Sequence, residues 1–166
     1  LAGPLGTYDA DRNRPDLDGT SRLSPHLSVG AIHPRTLLAD LEAHGGRGAD
    51  RFRTELAWRE FYADVVHHHP ASVTDDLNSS LADLAYDESP DRVAAWKQGR
   101  TGYPIVDAGM RQLSGEGWVH NRVRMVVASF LVKHLHTRWQ VGAEHFLTHL
   151  ADADLASNQH GWQWVA

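Results

Sequence analysis

Prolines 25, 34, 90 and 104 each head a stretch that reads as a helix, and glycines close several of those stretches. Proline is accepted in the first turn of an α-helix, where its missing N–H would be an orphan anyway, and glycine is favoured just past the end. No segment alternates strictly between apolar and polar residues, so this punctuation restricts the chain to an all-α fold.

Residues 1–19 carry Gly, Pro, Asp and Arg with almost no apolar period and read as an extended linker, ahead of a helical domain over 20–166. Ser24 is expected to cap a helix that starts at Pro25, and a second helix runs from Pro34 to Gly45 and Gly46. Phe52, Leu56, Tyr62, Val65 and Val66 mark an amphipathic helix over 49–66 that Pro70 ends. Ser89 and Pro90 open a helix through Trp96 to Gly99. Pro104 opens another, with Val106, Met110 and Leu113 on one face, stopped by Gly115 and Gly117. Val123, Val126, Val127, Phe130, Leu131 and Leu135 predict one buried helix, and a final pair covers about 142–150 and 153–160.

The 166 residues suffice for one domain with a core of its own. With no cysteine, disulfides, thiolate chemistry and Cys-based metal sites are excluded. No long apolar run or targeting leader is present, which predicts a soluble, cytoplasmic protein without membrane partners, read as a monomer. A formal charge of -5 argues against electrostatic coating of nucleic acid, yet allows a small basic rim drawn from Arg53, Arg59, Arg122 and Arg124. The chain starts at Leu1 without methionine and stops just after its most unusual segment, so it reads as a fragment cut at both ends, its C-terminus truncated.

Four of the six tryptophans, Trp118, Trp139, Trp162 and Trp164, lie after position 115. Around them stand Asp152, Asp154, Asn158, Asn121 and Arg124, a set suited to holding a flat, polar, redox-active ring. Asp152 and Asp154 can equally be first-turn acids that favour a helix start. Thr20, Ser21, Arg22, Leu23 and Ser24 offer hydroxyls and N–H groups at a helix start, where a phosphate can be held, although a simple cap explains them as well. Glu55, Trp58 and Arg59 are spaced to share one helix face. A carboxylate beside an indole is common on surfaces, but with Asn121 and Trp164 the group suits a pocket in which a base edge is hydrogen-bonded and its face stacked. His67, His68 and His69 point about 100° apart on a helix and cannot converge on one ion. His145 and His149 lack a third ligand, so no metal is expected.

Taken as written, Thr20-Ser-Arg-Leu-Ser, Trp58-Arg-Glu-Phe-Tyr, the run from Gly102 to Leu113, Trp118-Val-His-Asn-Arg-Val-Arg-Met and Asp152-Ala-Asp-Leu with Asn158 and Gly161-Trp-Gln-Trp resemble the FAD-binding helical domain of DNA photolyases and cryptochromes. The motifs keep their order from Tyr8 to Trp164. The resemblance implies FAD as cofactor, with Tyr8 and Thr20, Ser21, Arg22, Leu23 and Ser24 at its pyrophosphate and ribityl region. Asp152, Ala153, Asp154 and Arg124 then surround the isoalloxazine, and Asn158 faces flavin N5. It implies UV-damaged DNA as partner, with Glu55 and Asn121 on the damaged bases, Trp58 and Trp164 stacked on them, Met125 touching them, and Arg122 on a phosphate beside Arg59.

The implied enzyme is a class I cyclobutane pyrimidine dimer photolyase, a lyase in which photoexcited reduced FAD passes an electron to a flipped-out dimer. Enzymes for (6-4) photoproducts carry histidines where this chain has Asn121 and Met125, and photoreceptors often replace the residue at Asn158 by cysteine or aspartate. The alternative is a cryptochrome-type blue-light receptor without repair activity; a bundle with purely structural motifs is the third reading. The resemblance also makes Trp162 and Trp139 the inner members of an electron relay to oxidised flavin. The outer position falls on Tyr86, with Asp87 and Glu88 as proton acceptors or Trp96 as substitute. The antenna pigment belongs to a domain outside this chain.

Overall fold

The punctuation by proline and glycine is realised almost as read. The computed structural model describes residues 5–79, 84–87 and 89–166, and every regular element among them is helical. In order these are α1 (Tyr8–Asp11), α2 (Ser24–Ser28), α3 (Pro34–Glu42), α4 (Arg47–His68), a 3-10 turn (Pro70–Val73), α5 (Pro90–Lys97), α6 (Pro104–Glu116), α7 (Asn121–Ser129), a π turn (Phe130–His134), α8 (Trp139–His149) and α9 (Leu155–Val165). Gly117 closes α6 in the left-handed conformation, φ 63°, where a side chain would be strained.

Three local expectations need correction. Residues 1–19 are not extended throughout: Leu5 is buried, Tyr8–Asp11 is a helical turn, and the Tyr8 ring meets Phe52 edge-on at 5.3 Å. Gly48 permits this docking, because a Cβ there would run into the Leu5 carbonyl. Ser24 is the first residue of α2, and Leu23 takes the cap position. The apolar run from Val123 does not form one helix. It widens after Ser129 into a π turn, closed by the Leu135 N–H donating to the Phe130 carbonyl at 3.1 Å, and His136 turns left-handed at φ 49°.

Two cores result. Leu37 and Leu41 of α3 pack with Leu5 and with Ala49, Phe52 and Leu56 of α4. The larger core gathers Trp96, Val106, Met110, Leu113, Val127, Leu131, Trp139, Phe146 and Trp162 from α5 to α9. Helix α4 joins the two by lying along both α1 and α9. Burial of these side chains, at roughly 1.5–3 kcal/mol each, supplies the main stabilisation. Gly142 lets α8 and α9 meet closely, since a Cβ there would collide with the Trp162 ring. No helix is long and apolar enough to cross a membrane among the described residues.

Candidate functional site

The Trp118 and Asp152 motifs, thirty residues apart, are joined by backbone: the Ala151 N–H donates to the Gly117 carbonyl at 2.8 Å. Arg124 reinforces the junction. Its Nε donates to the Val119 carbonyl at 2.8 Å, and its Nη2 reaches both Asp152 oxygens at 3.1 and 2.8 Å. One nitrogen therefore spans the carboxylate, rather than a two-pronged fork. Asp154 is the N-cap of α9, accepting from the Ser157 N–H at 2.8 Å, and its other oxygen lies 3.7 Å from Arg59. The cap reading of this acid holds, and its second oxygen leaves it paired with Arg59. Ser28 Oγ donates to the Ala153 carbonyl and pins α2 against the same loop.

Asn158 spends its amide nitrogen on the Ala143 carbonyl at 3.0 Å and Gln159 Oε1 at 2.9 Å. Its Oδ1 is thereby left as an acceptor for an N–H partner. In the Thr20–Ser24 loop, Arg22 is left-handed at φ 49°, and its guanidinium lies over the Trp118 ring at 4.2 Å. The loop and the α7 approach are thus neighbours, with the Ser21 hydroxyl accepting from the Leu23 N–H at 3.4 Å.

Glu55 is held by Arg12 at 2.7 Å and more loosely by Arg51 at 3.6 Å. The next residue, Asn13, accepts from Arg122 Nε and Nη2 at 3.0 and 2.6 Å, and Arg122 Nη1 lies 3.3 Å from Met125 Sδ. Glu55, Arg122 and Met125 are therefore strung along one rim by residues 12 and 13. Exposed Asn121 begins α7 on that rim. Arg122 and Arg124 sit in the first turns of α7, at the positive end of its dipole, which disfavours cations. A helix that breaks this rule twice is suited to meet anions.

The tryptophans divide sharply. Trp96, Trp139 and Trp162 are buried, whereas Trp58 is 44 % exposed and Trp164 73 % exposed. Trp58 is backed by Tyr62, stacked at 5.8 Å, and Tyr62 in turn by His160 at 5.5 Å. Trp139 donates its indole N–H to Asp76 at 2.6 Å. Tyr86, partly buried, has the Arg138 guanidinium 5.4 Å from its ring centre, and Asp87 Oδ2 is 3.5 Å from Arg92. Trp96 is fully buried with its N–H donated to the Val127 carbonyl, so it cannot serve as a surface member of a relay. Glu88 lies outside the described residues.

Sequence reading missed Arg12, Asn13 and Asp76, whose partners are set by the fold rather than by spacing, and His120, which caps its own helix. His120 is buried, and its Nδ1 accepts from the Arg122 N–H at 3.1 Å as the N-cap of α7. Burial, followed by Arg122 and Arg124, pushes its pKa down and keeps it neutral. Its buried Nε2 has no partner among the described residues. The His145 and His149 rings meet at 4.1 Å, tilted by 42°, and no group of three or more metal-ligating side chains occurs among the described residues.

Fold and site together define an all-helical cofactor-binding domain with a half-buried set of carboxylates and amides beside an exposed aromatic rim. Residues 52–166 match the FAD binding domain of DNA photolyase. The chain is 45% identical to a deoxyribodipyrimidine photo-lyase of Streptomyces griseus and 44% identical to that of Escherichia coli, covering 100% and 97% of this chain but 36% and 35% of theirs. Its structure superposes with a TM-score of 0.94 on a bacterial class III photolyase from Agrobacterium tumefaciens, 45% identical, over 99% of this chain and 35% of that one. A cryptochrome of Synechocystis matches at 0.91 and 32% identity, over 98% of this chain and 35% of that one. The chain belongs to the DNA photolyase family, through its FAD-binding domain. It spans about a third of the length of these relatives.

FAD suits the residues present by the chemistry of the donor set. Asp152 and Asp154 offer acceptors for ring N–H groups, Arg124 a cation, and Asn158 a free Oδ1. The Ser21 and Ser24 side chains and the loop N–H groups are of the kind that bind phosphate oxygens.

Proposed function

We propose that the protein carrying this domain repairs cyclobutane pyrimidine dimers in DNA under light, as a member of the dimer-directed photolyases. The observation that supports this most is the pair of exposed indoles, Trp58 and Trp164, on neighbouring helices α4 and α9. Trp58, 44 % exposed in the middle of α4, forgoes part of the hydrophobic gain of burial, which a stacked base would restore.

When bound, FAD supplies the light-excited one-electron donor. The chain's own residues bind and orient. Asp152, Asp154 and Arg124 would hold the ring, Ala153 between the two acids would line it, and the Asn158 amide would face N5. Tyr8 and Thr20 to Ser24 take the pyrophosphate and ribityl region. Glu55 and Asn121 hydrogen-bond the flipped-out bases, Met125 and the two indoles fill apolar contact around them, and Arg122 meets a phosphate, with Arg59 beside the cofactor loop. Trp162, Trp139 and Tyr86 form the electron path to oxidised flavin. Asn121 and Met125 favour cyclobutane dimers over (6-4) products. The class I grouping rests on these side chains and stands beside the class III relative.

The test uses the full-length protein with FAD and a dimer-containing oligonucleotide under near-ultraviolet or blue light. Loss of dimers is expected. Flavin photoreduction with dimers intact would instead make the protein a photoreceptor.

A further inference from the structure

Asp76 lies on a loop that four side chains of α8 and α9 hold in place. Gln140 Nε2 donates to the Thr74 carbonyl at 3.2 Å, Gln159 Nε2 to that of Val73 at 2.6 Å, and Gln163 Nε2 to that of Ser72 at 2.7 Å. Gln163 Oε1 also accepts from the Leu77 N–H at 2.8 Å, and Trp139 completes the set through its indole N–H. A carboxylate is thereby fixed 2.6 Å from the indole nitrogen of a tryptophan whose residue is only 2 % exposed. Trp139 and Gly142 share one face of α8, three residues apart, and the Trp162 ring rests on Gly142.

The charges around the two outer aromatic rings are opposite in sign. Trp139 faces a carboxylate, which stabilises a positive hole on the indole. Tyr86 faces the Arg138 guanidinium at 5.4 Å, which opposes a hole there. Loss of an electron makes the indole N–H strongly acidic, and its hydrogen-bond partner is a base already in place.

We infer that Asp76 is the proton acceptor for Trp139, and that the hole comes to rest on Trp139 rather than on Tyr86. This rests on the inner part of the electron path put forward above, Trp162 and Trp139, and removes Tyr86 from its outer end. Trp162 would give one electron to the bound, photoexcited oxidised cofactor, and one electron from Trp139 would refill Trp162. The Nε1 proton then crosses to Asp76. The products are a neutral Trp139 radical and a protonated Asp76, while the flavin has gained one electron. Return of the electron sends the proton back, so the carboxylate is regenerated. Asp76 touches the oxidised ring directly, and no bound base or solvent is required.

Transient absorption on the full-length FAD-loaded protein, in H2O and D2O, compares wild type with Asp76→Asn, Tyr86→Phe and Trp139→Phe. Asparagine keeps an oxygen for the indole N–H but is too weak a base to take its proton, so the fold is preserved. Wild type should show a neutral tryptophan radical whose formation is slowed in D2O, and Tyr86→Phe should leave it unchanged. Asp76→Asn should lose both the isotope effect and the neutral-radical spectrum, leaving a short-lived cation radical. A neutral radical with its isotope effect intact in Asp76→Asn, or a tyrosyl signal in wild type, would overturn the assignment. If Trp139→Phe gives the same radical yield as wild type, the electron path itself is wrong, a result distinct from failure of Asp76.

Discussion

Arg12 and Glu55 form an ion pair of 2.7 Å in which the arginine side chain is only 10 % exposed. The pair couples the short α1 region to the middle of α4 and fixes the carboxylate proposed for the base edge. Arg12→Ala leaves Glu55 with the longer contact to Arg51 alone. The expected cost is about 2 kcal/mol in a urea titration, less than a fully buried pair because water still reaches Glu55. Arg14→Ala, which breaks an exposed pair with Asp16, should leave the midpoint unmoved.

Glu55→Ala and Asn121→Ala in the full-length protein should retain FAD while repair falls. Each change removes one hydrogen-bonding partner of the damaged bases and should weaken substrate or transition-state interaction by about 1–3 kcal/mol. Repair rates equal to wild type in both variants would remove these residues from the base edge.

Arg124→Ala leaves the Asp152 carboxylate, whose side chain is 3 % exposed, without its cation. Removing one partner of a buried pair is expected to cost about 3 kcal/mol, measurable as a shifted denaturation midpoint, with FAD released during gel filtration. Asp152→Asn combined with Arg124→Ala should cost less than the two single changes added together.

Gly142→Ala tests the closeness of α8 and α9. The added methyl meets the Trp162 ring and Leu131, both buried, so neither can yield without moving a helix. Destabilisation of about 1–3 kcal/mol is expected, whereas Gly161→Ala, where the space is open, should be harmless.

Acid should weaken the fold through His145. Burial, then His149 and Lys97, push its pKa down to about 4, against an ordinary value of 6.5. Between these values the unfolded chain binds a proton that the folded one refuses, so stability falls as pH drops through that window. His120, lowered in the same direction by burial, adds to the loss. Urea midpoints at pH 7 and pH 5 should differ less in His145→Gln than in wild type.

Much of this architecture is legible in the chain. Pro34, Pro90 and Pro104 open helices where local chemistry says they should, and Gly117 ends one. Local chemistry does not reveal the π turn at Phe130, since a run of five residues is too short for apolar spacing to separate α from π winding. The linker reading of the first residues failed because the docking of Leu5 depends on a gap at Gly48, far along the sequence. In the site, residue types suggested the carboxylates, amides and indoles. Which pairs form was beyond reach: that Arg12 takes Glu55, Asn13 takes Arg122 and Asp76 takes Trp139 follows from the packing of α1, α4 and the 70–78 loop.

The backbone bond from Ala151 to Gly117 has a bearing on how such a domain can diverge. It ties the start of α7 to the loop before α9, and the Arg124–Asp152 pair ties them a second time. Residues added or deleted next to either tie shift Asp152 away from Arg124, whereas loops remote from both ties take up length locally. On the function proposed above, exchanging the side chains at positions 121 and 125 alters lesion preference on an unchanged frame, while changes of chain length fall more easily away from the two ties.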